Sequence, residues 1–372
     1  MRDLIVFGED FGGLPSSTQH LVTRLAKDRK ILWVNSIGLR QPKLNQRDMA
    51  RAFNKLLGRS KAGYQTPSQL TPNNITVVNV KTIPAPSSSI ARTIARQMLV
   101  AQIKPVIEKL KLQSPILWSS LPTTADLCGH LNESAVVYYC GDDFSALAGV
   151  DHDVVAQHEN KLVASADLIL AASDKLCKKF PQRKTQLLPH GVDVSLFQTP
   201  VSRAPDLPQS NRPIAGFYGS LSNWLDYDLL TNLCEMKPDW DFVFIGPKEI
   251  HPCLLPKASN VYYLGKKAHA ELPRYSQHWT VGLLPFKSNG QILACSPLKL
   301  MEYLAAGSRV ISTEFPAVTP YRKEVSLAHN AKQFSEAMDR IVQNDQARPS
   351  TSLEQHSWDS RSQALSVLLE AL

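Results

Sequence analysis

Short apolar runs alternate with amphipathic stretches along nearly the whole chain. In the first half, Leu4–Phe7, Ile31–Val34, Ile75–Val80, Ile116–Trp118, Ala135–Tyr139, Leu168–Ala171 and Gln186–Leu188 have the length and character of strands. Between them, Ser17–Lys27, Ile90–Leu112 and Val154–Ser165 carry apolar positions at helical spacing. The second half repeats the alternation. Its strands are expected at Ile214–Tyr218, Phe242–Ile245, Val261–Leu264, Val281–Leu284 and Val310–Ser312, and its helices near Leu225–Cys234, Ala270–Ser276 and Leu298–Ala306. Such alternation predicts an α/β chain with mostly parallel sheets covered on both faces.

Leu196–Pro213, LFQTPVSRAPDLPQSNRP, separates the halves, and its four prolines among polar residues predict a linker. A chain of 372 residues has room for two cores. The expected division is an N-terminal domain over 1–196, a linker over 197–212, a C-terminal domain over 213–350 and a final helical segment over 351–372, anchored by Trp358. In open α/β sheets the ligand loops lie at the carboxyl ends of the strands. Two such lobes would point those loops into a shared cleft.

Composition alters little of this. Hydrophobic content of 43% and charged content of 20% are ordinary for a globular protein. No apolar run approaches the ~18 residues needed to cross a bilayer. The N-terminal MRDLIVFGED enters a strand directly, unlike a secretory leader, so the cytoplasm is the expected location. Cys128, Cys140, Cys177, Cys234, Cys253 and Cys295 include no C-x-x-C pair and read as free thiols, with no metal expected.

Charge does change the picture. Residues 1–200 hold 24 Lys+Arg against 16 Asp+Glu and residues 201–372 hold 17 of each, so the whole excess of +8 belongs to the first half. It is densest between Arg24 and Lys61, where eleven basic residues face two acids, and it implies an anionic partner. Within that stretch Leu44, Met49, Phe53, Leu56 and Leu57 fall near one helical face beside Arg47, Arg51 and Lys55; Ile90–Leu112 adds Arg92 and Arg96. These five cations form a candidate membrane or acceptor surface. The other reading is helices packed on the sheet with their charges in water. The basic run lacks interleaved aromatics and any recognition motif, so nucleic acid is not an expected partner.

The sharpest chemistry lies in Ser296–Val310, SPLKLMEYLAAGSRV. Pro297 can open a helix, since its missing N–H is not needed there. The amides of that turn, with Leu298, make an anion site strengthened by the helix dipole and by Lys299. Glu302 sits about one turn further in, where a carboxylate can accept hydrogen bonds from a ribose diol, and Gly307 ends the helix. Together these groups fit a nucleoside diphosphate. The alternative is a solvated Lys299–Glu302 pair at i,i+3.

This segment resembles the PLK-x-x-EYLA-x-G-x-x-V donor signature of GT-B glycosyltransferases, notably retaining enzymes of family 4. LLPHGVD (Leu187–Asp193), GFYGSLSNWLDYDLL (Gly216–Leu230), PDWDFVFIGP (Pro238–Pro247), NVYYLG (Asn260–Gly265) and LPRYSQHWTVGLLPF (Leu272–Phe286) follow in the family's order. The set is similar to a subgroup of surface-polysaccharide and teichuronic-acid gene clusters. The resemblance implies a GT-B fold, with two Rossmann-like domains facing each other across a cleft and a C-terminal helix returning towards the N-terminal domain. It implies an acceptor on the N-terminal domain and a nucleotide sugar on the C-terminal one. Glu302 would bind the donor ribose, Pro297, Leu298 and Lys299 the diphosphate, and Gly219 and Ser220 would lie near the same phosphates. Two family features are missing: the earlier acid is replaced by Ala294, and the basic pair after the first C-domain strand gives way to GSLSNWLDYD. Lys287 and Lys299 are the nearest substitutes.

In the first half, the loop GEDFGGLPSS (Gly8–Ser17) follows the first strand. Gly12 and Gly13 permit close backbone approach, and by the resemblance they reach towards the donor phosphates; a plain turn is the alternative. VVYYCGDDFSALAG (Val136–Gly149) ends a strand in Asp142 and Asp143, candidate catalytic carboxylates that would orient an acceptor hydroxyl or take its proton. An Asp capping the next turn is the alternative there, and His158 and His190 read as structural.

The expected activity is a hexosyl-type glycosyltransferase of cell-surface polysaccharide synthesis, retaining, independent of metal and without a bound cofactor. Its donor is a UDP- or GDP-linked sugar, its acceptor a glycan or a polyprenyl-diphosphate-linked glycan, and its place the cytoplasm or the inner face of the cytoplasmic membrane. Its rivals are a nucleotide-sugar 2-epimerase of the same fold and a non-catalytic nucleotide-sugar-binding subunit.

Overall fold

Strands without a polar face need cover on both sides, and both sheets of the protein meet that need with parallel strands joined by helical crossovers. The computed structural model describes residues 1–13, 16–37, 72–83, 86, 88–146, 151–296, 298–343 and 353–372. It divides into two compact units, Met1–Pro189 with Arg361–Leu372, and His190–Ser360.

The first unit carries β1 (Leu4–Phe7), β2 (Ile31–Val34), β3 (Ile75–Val78), β4 (Ile116–Ser119), β5 (Ala135–Cys140), β6 (Leu168–Ala171) and β7 (Thr185–Leu187). They pair in the order β3-β2-β1-β4-β5-β6-β7, all parallel, with Leu4 opposite both Ile31 and Ile116. The five inner strands are wholly buried; only the edge strands β3 and β7 have accessible positions. Helices α1 (Ser17–Leu25), α2 (Ser89–Leu110), α3 (His152–Ser165) and α4 (Asp174–Lys179) begin behind Ser16, Ser88, Asp151 and Ser173. Each of these side chains accepts a backbone N–H of the first turn.

The second unit holds α5 (Val194–Gln198), β8 (Ile214–Tyr218), α6 (Tyr227–Met236), β9 (Asp241–Ile245), β10 (Val261–Gly265), α7 (Pro273–Ser276), β11 (Val281–Leu284), α8 (Gly290–Ala294), α9 (Leu298–Ala305), β12 (Arg309–Ser312), β13 (Val325–Leu327) and α10 (Ala331–Gln343). Its sheet runs β10-β9-β8-β11-β12-β13. In each unit the strand order reverses once, between β1 and β4 and between β8 and β11, and ligands of doubly wound sheets bind beside such a reversal.

The last helix, α11 (Trp358–Glu370), crosses the division. Its start belongs to the second unit: Trp358 covers Gly191, and its amide donates to the Val192 carbonyl at 3.2 Å. Its end belongs to the first, where Leu365 and Leu369 are buried and the Arg29 guanidinium reaches Ser366 Oγ at 3.1 Å and Glu370 at 3.3 Å.

The expected linker is not a tether. Residues 197–212 lie inside the second unit, where Phe197, Ala204 and Leu207 are buried and the Gln277 side chain bonds Phe197, Thr199 and Val201. The prolines shape a segment that wraps its own unit, and the division falls at Pro189–His190. The sequence reading also passed over β13, α4, α5 and α8, three to six residues each, too short to show a period. Among the described residues no helix is long and apolar enough to cross a membrane, and all six cysteines are free.

Two facing glycines set the geometry of the second unit. Gly216 on β8 pairs with Gly282 on β11, and two aromatic rings occupy the space their side chains would fill. A Cβ on Gly216 would stand 1.6 Å from the Trp279 ring, and one on Gly282 would stand 2.6 Å from the Tyr303 ring. Trp279 and Tyr303 meet edge to face at 5.3 Å, and Tyr218 joins them at 5.7 and 4.9 Å. Trp279 Nε1 donates to Ser308 Oγ at 3.0 Å, and the Tyr303 hydroxyl accepts the Tyr218 amide at 3.2 Å. Gly216→Ala should therefore cost about 3 kcal/mol, the upper part of the usual overpacking range. Urea unfolding followed by tryptophan fluorescence measures this; an unchanged midpoint would contradict the seating of Trp279 on the sheet.

Candidate functional site

The loops after β8, β9 and β11 are tied together at the reversal point of the second unit. Gly219 ends β8 with φ +138°, and its amide donates to the Ile245 carbonyl at 2.8 Å. Gly246 ends β9 with φ +141°, and a Cβ there would lie 2.0 Å from the Gly219 carbonyl oxygen. Backbone thus packs on backbone, which only glycine permits. On the other side, Lys287 N donates to the Trp224 carbonyl and Asp226 N to the Pro285 carbonyl, each at 2.8 Å, fastening the β8 loop to the β11 loop.

Helix α9 returns over this floor. The Lys299 side chain crosses Gly219 so closely that a Cβ on the glycine would lie 2.3 Å from Cε and 3.1 Å from Nζ. Beside it, the Ser220 hydroxyl is buried with no hydrogen-bond partner among the described residues. The backbone before the helix is held as well: His190 N donates to Ser296 Oγ at 3.3 Å, and Leu298 N donates to the Ser296 carbonyl at 2.9 Å.

One turn along α9, Glu302 is 4% exposed, and Oε1 lies 2.8 Å from Nε2 of His269. His269 opens the helical turn His269–Glu271 after β10, and its ring meets the edge of Phe197 at 5.5 Å. Burial alone would lower the histidine pKa. The hydrogen bond and charge of Glu302, with the charge of Asp193, outweigh it and raise the pKa above 6.5. Tyr218, at the end of β8, faces the same carboxylate. Burial first, then the charge of Glu302, pushes its phenol well above its ordinary range, so the hydroxyl stays protonated; among the described residues it meets no acceptor at full hydrogen-bonding geometry. A buried acid, a cation-capable imidazole, a lysine and two unsatisfied hydroxyls therefore gather at one strand end.

In the first unit the glycine loop after β1 is internally satisfied. Phe11 N donates to Asn35 Oδ1 at 2.9 Å, Gly12 N to Gln19 Oε1 at 3.0 Å and Gly13 N to the Asp10 carbonyl at 3.1 Å. After β5, Asp142 is exposed, whereas Asp143 accepts from Ser145 Oγ at 2.6 Å and from Lys179 Nζ at 3.0 Å. Lys179 also reaches Glu159 at 2.9 Å, and Glu159 accepts the buried Tyr138 hydroxyl at 2.7 Å. Burial would raise the Asp143 pKa, but the bonds from Ser145 and Lys179 lower it, making this carboxylate a poor proton acceptor. Arg92 does not serve a charged outer face: its guanidinium grips Asp126 with two bonds of 2.8 and 2.7 Å. Arg92, Lys161 and burial compete at Asp126, and the two cations bring its pKa to about 2. Arg96 lines a small cavity beside this pair, and the residues exposed on α2 include Ile90, Ile94 and Met98.

No family model matches the chain. A 251-residue stretch is 27% identical to TuaH of Bacillus subtilis (strain 168), a candidate teichuronic acid biosynthesis glycosyltransferase; it spans 61% of this chain and 63% of TuaH. Among solved structures, Anabaena Alr3699/HepE in complex with UDP and glucose superposes with a TM-score of 0.70 over 100% of both chains at 13% identity. Sucrose-phosphate synthase of Thermosynechococcus elongatus gives 0.65 at 13% identity over 100% of this chain and 99% of its own. The chain has the GT-B fold. The resemblance drawn from the ordered motifs is thus met twice, by a relative in sequence and by GT-B glycosyltransferases in structure.

Of the predicted donor residues, the GT-B second unit brings Gly219, Ser220, Lys299 and Glu302 to one strand end and holds Lys287 in the adjoining loop, exposed. Leu298 begins α9; Pro297, Arg47, Arg51 and Lys55 lie outside the described residues. Glu302 is not the solvated partner of Lys299 that helix spacing allows. The sequence reading missed His269 and Tyr218. His269 follows a strand in a polar stretch, GKKAHAEL, which is a usable sign, whereas Tyr218 looks like any aromatic strand residue.

The raised His269 pKa fixes a pH dependence. Stability from the protonated pair is fully present below the unfolded value of about 6.5 and is lost as pH rises through the higher folded value. The gap in melting temperature between the wild type and His269→Leu should be widest near pH 6 and narrow as pH rises through the raised folded value. A gap that widens with pH would contradict the charge pairing.

Proposed function

We propose that the chain is a glycosyltransferase that moves a hexosyl group from a nucleoside-diphosphate sugar, UDP- or GDP-linked, to a glycan or polyprenyl-diphosphate-linked acceptor in cell-surface polysaccharide synthesis. The observation that carries this is Glu302, a buried carboxylate one turn along α9, with Lys299 of the same helix folded over the Gly219 turn. A carboxylate matches ribose hydroxyls, and a lysine above a glycine turn matches a diphosphate. TuaH, a candidate glycosyltransferase of teichuronic acid biosynthesis, supports the place in polysaccharide synthesis, and the HepE complexes with UDP and with UDP-glucose support the donor class.

The chemistry follows from charge. As the bond from the sugar to the diphosphate breaks, negative charge grows on the leaving phosphate, and Lys299 with the Ser220 hydroxyl would stabilise it there. The family resemblance supports retention of configuration without a metal. Asp142, exposed after β5, is the better candidate to meet an acceptor hydroxyl; Asp143 serves to hold Lys179. The excess positive charge of the first half suits a polyprenyl-diphosphate acceptor at the inner face of the cytoplasmic membrane. Ala294 favours a second reading. It is 1% exposed where the family carries its first acid, which suits a non-catalytic nucleotide-sugar-binding subunit.

Glu302→Ala should weaken UDP or GDP binding about 10- to 100-fold, the worth of charge-assisted hydrogen bonds, and Lys299→Ala about 10-fold. Calorimetric titration checks both, and a wild-type protein that binds neither nucleotide defeats the donor assignment. Hydrolysis of UDP-glucose and GDP-mannose with and without membrane extract then separates the readings. A transferase accelerates with acceptor, an epimerase converts the sugar without it, and a binding subunit does neither.

A further inference from the structure

We propose that His269 is a positioning residue that orders Glu302 for the ribose of the donor nucleotide, and that this pair selects ribonucleotides. The proposal rests on the donor reading above. It begins from a cost: a carboxylate 4% exposed on α9, between buried Met301 and Tyr303, loses most of its hydration. Such a group protonates or turns away unless a donor meets it. His269 is that donor, with Nε2 at 2.8 Å from Oε1.

The histidine is itself held. Its turn is closed by the Ala268 amide donating to Glu271 Oε2 at 3.1 Å, and its ring stands against the edge of Phe197. Phe197 is fully buried, so the imidazole has a fixed wall behind it. Three elements thus converge on Glu302: the turn after β10 through His269, the end of β8 through Tyr218, and α9 itself. The charged and titratable groups facing His269 include Glu302 from α9 and Asp193 from the N-cap of α5; Tyr218 faces Glu302 from β8.

With Oε1 held by the imidazole, the remaining acceptor capacity of the carboxylate is ordered before a ligand arrives. A ribose diol then meets an acceptor whose side-chain entropy is already lost, and affinity rises through preorganisation. A nucleotide without the diol gains nothing from that order. The buried Tyr218 hydroxyl is a second donor close to the same carboxylate.

The test is calorimetric titration of the full chain with UDP and with 2′,3′-dideoxy-UDP, or the guanosine pair if the wild type prefers GDP. His269→Leu should weaken the ribonucleotide about tenfold and leave the dideoxy analogue within about twofold, while His269→Gln, which keeps an N–H near the Nε2 position, should restore most of the difference. If the leucine variant does not fold, the glutamine variant decides by pH. Wild-type affinity should change between about pH 6 and about pH 8.5 by more than that of the variant, since the phosphate ionisation of UDP is common to both. Equal loss for both nucleotides, no loss for either, or identical pH profiles for wild type and His269→Gln overturns the proposal. Failure of the donor reading shows separately, as wild-type protein that binds neither UDP nor GDP, or as Glu302→Ala that binds like wild type.

Discussion

A carboxylate held out of water is the constraint around which the second unit is arranged. Glu302 is tolerable because His269 meets it at 2.8 Å, and His269 can reach it only if α9 lies at one height above the sheet. That height is set by Tyr303, the next residue of α9, whose ring rests where Gly282 has no side chain and whose hydroxyl takes the Tyr218 amide. Trp279 on Gly216 completes the seat. The same register carries Lys299 over Gly219. Two glycines without Cβ atoms therefore place an acid and a lysine, and the packing of the core and the chemistry of the strand end are one problem.

Much of this was legible in the sequence, for physical reasons that differ from element to element. Runs such as LIVF, ILWV and LILA are apolar on both faces, and only a doubly covered parallel strand uses such a run, so β1, β2 and β6 could be placed to the residue. The α9 segment was legible because proline, lysine, glutamate and glycine each do one recognisable thing at their place in a helix. Partners distant in sequence were not legible. His269 and Glu302 are 33 residues apart and meet only through the sheet. Leu196–Pro213 was misread for the opposite reason: prolines report a chain that cannot be regular, and a buried wrap and an exposed tether are both irregular.

The first unit shows how formal charge misleads. Arg92 was counted with the cations of a binding face, yet it spends its charge on Asp126, and Lys179 is divided between Asp143 and Glu159. Charge sums see none of these pairings. They leave α2 with a row of accessible Ile90, Ile94 and Met98, which changes the character of that face from basic to mixed.

The path of α11 has a consequence for how the molecule is made. The second unit is one uninterrupted stretch, His190–Ser360, and the first unit draws on residues from both sides of it in sequence. During synthesis the residues of the second unit are all present while the first still lacks Leu365 and Leu369, two fully buried side chains. Domains emerging from the ribosome ordinarily mature in chain order. Here the unit begun first is the one completed last, because Leu365 and Leu369 follow the whole of the second unit in sequence.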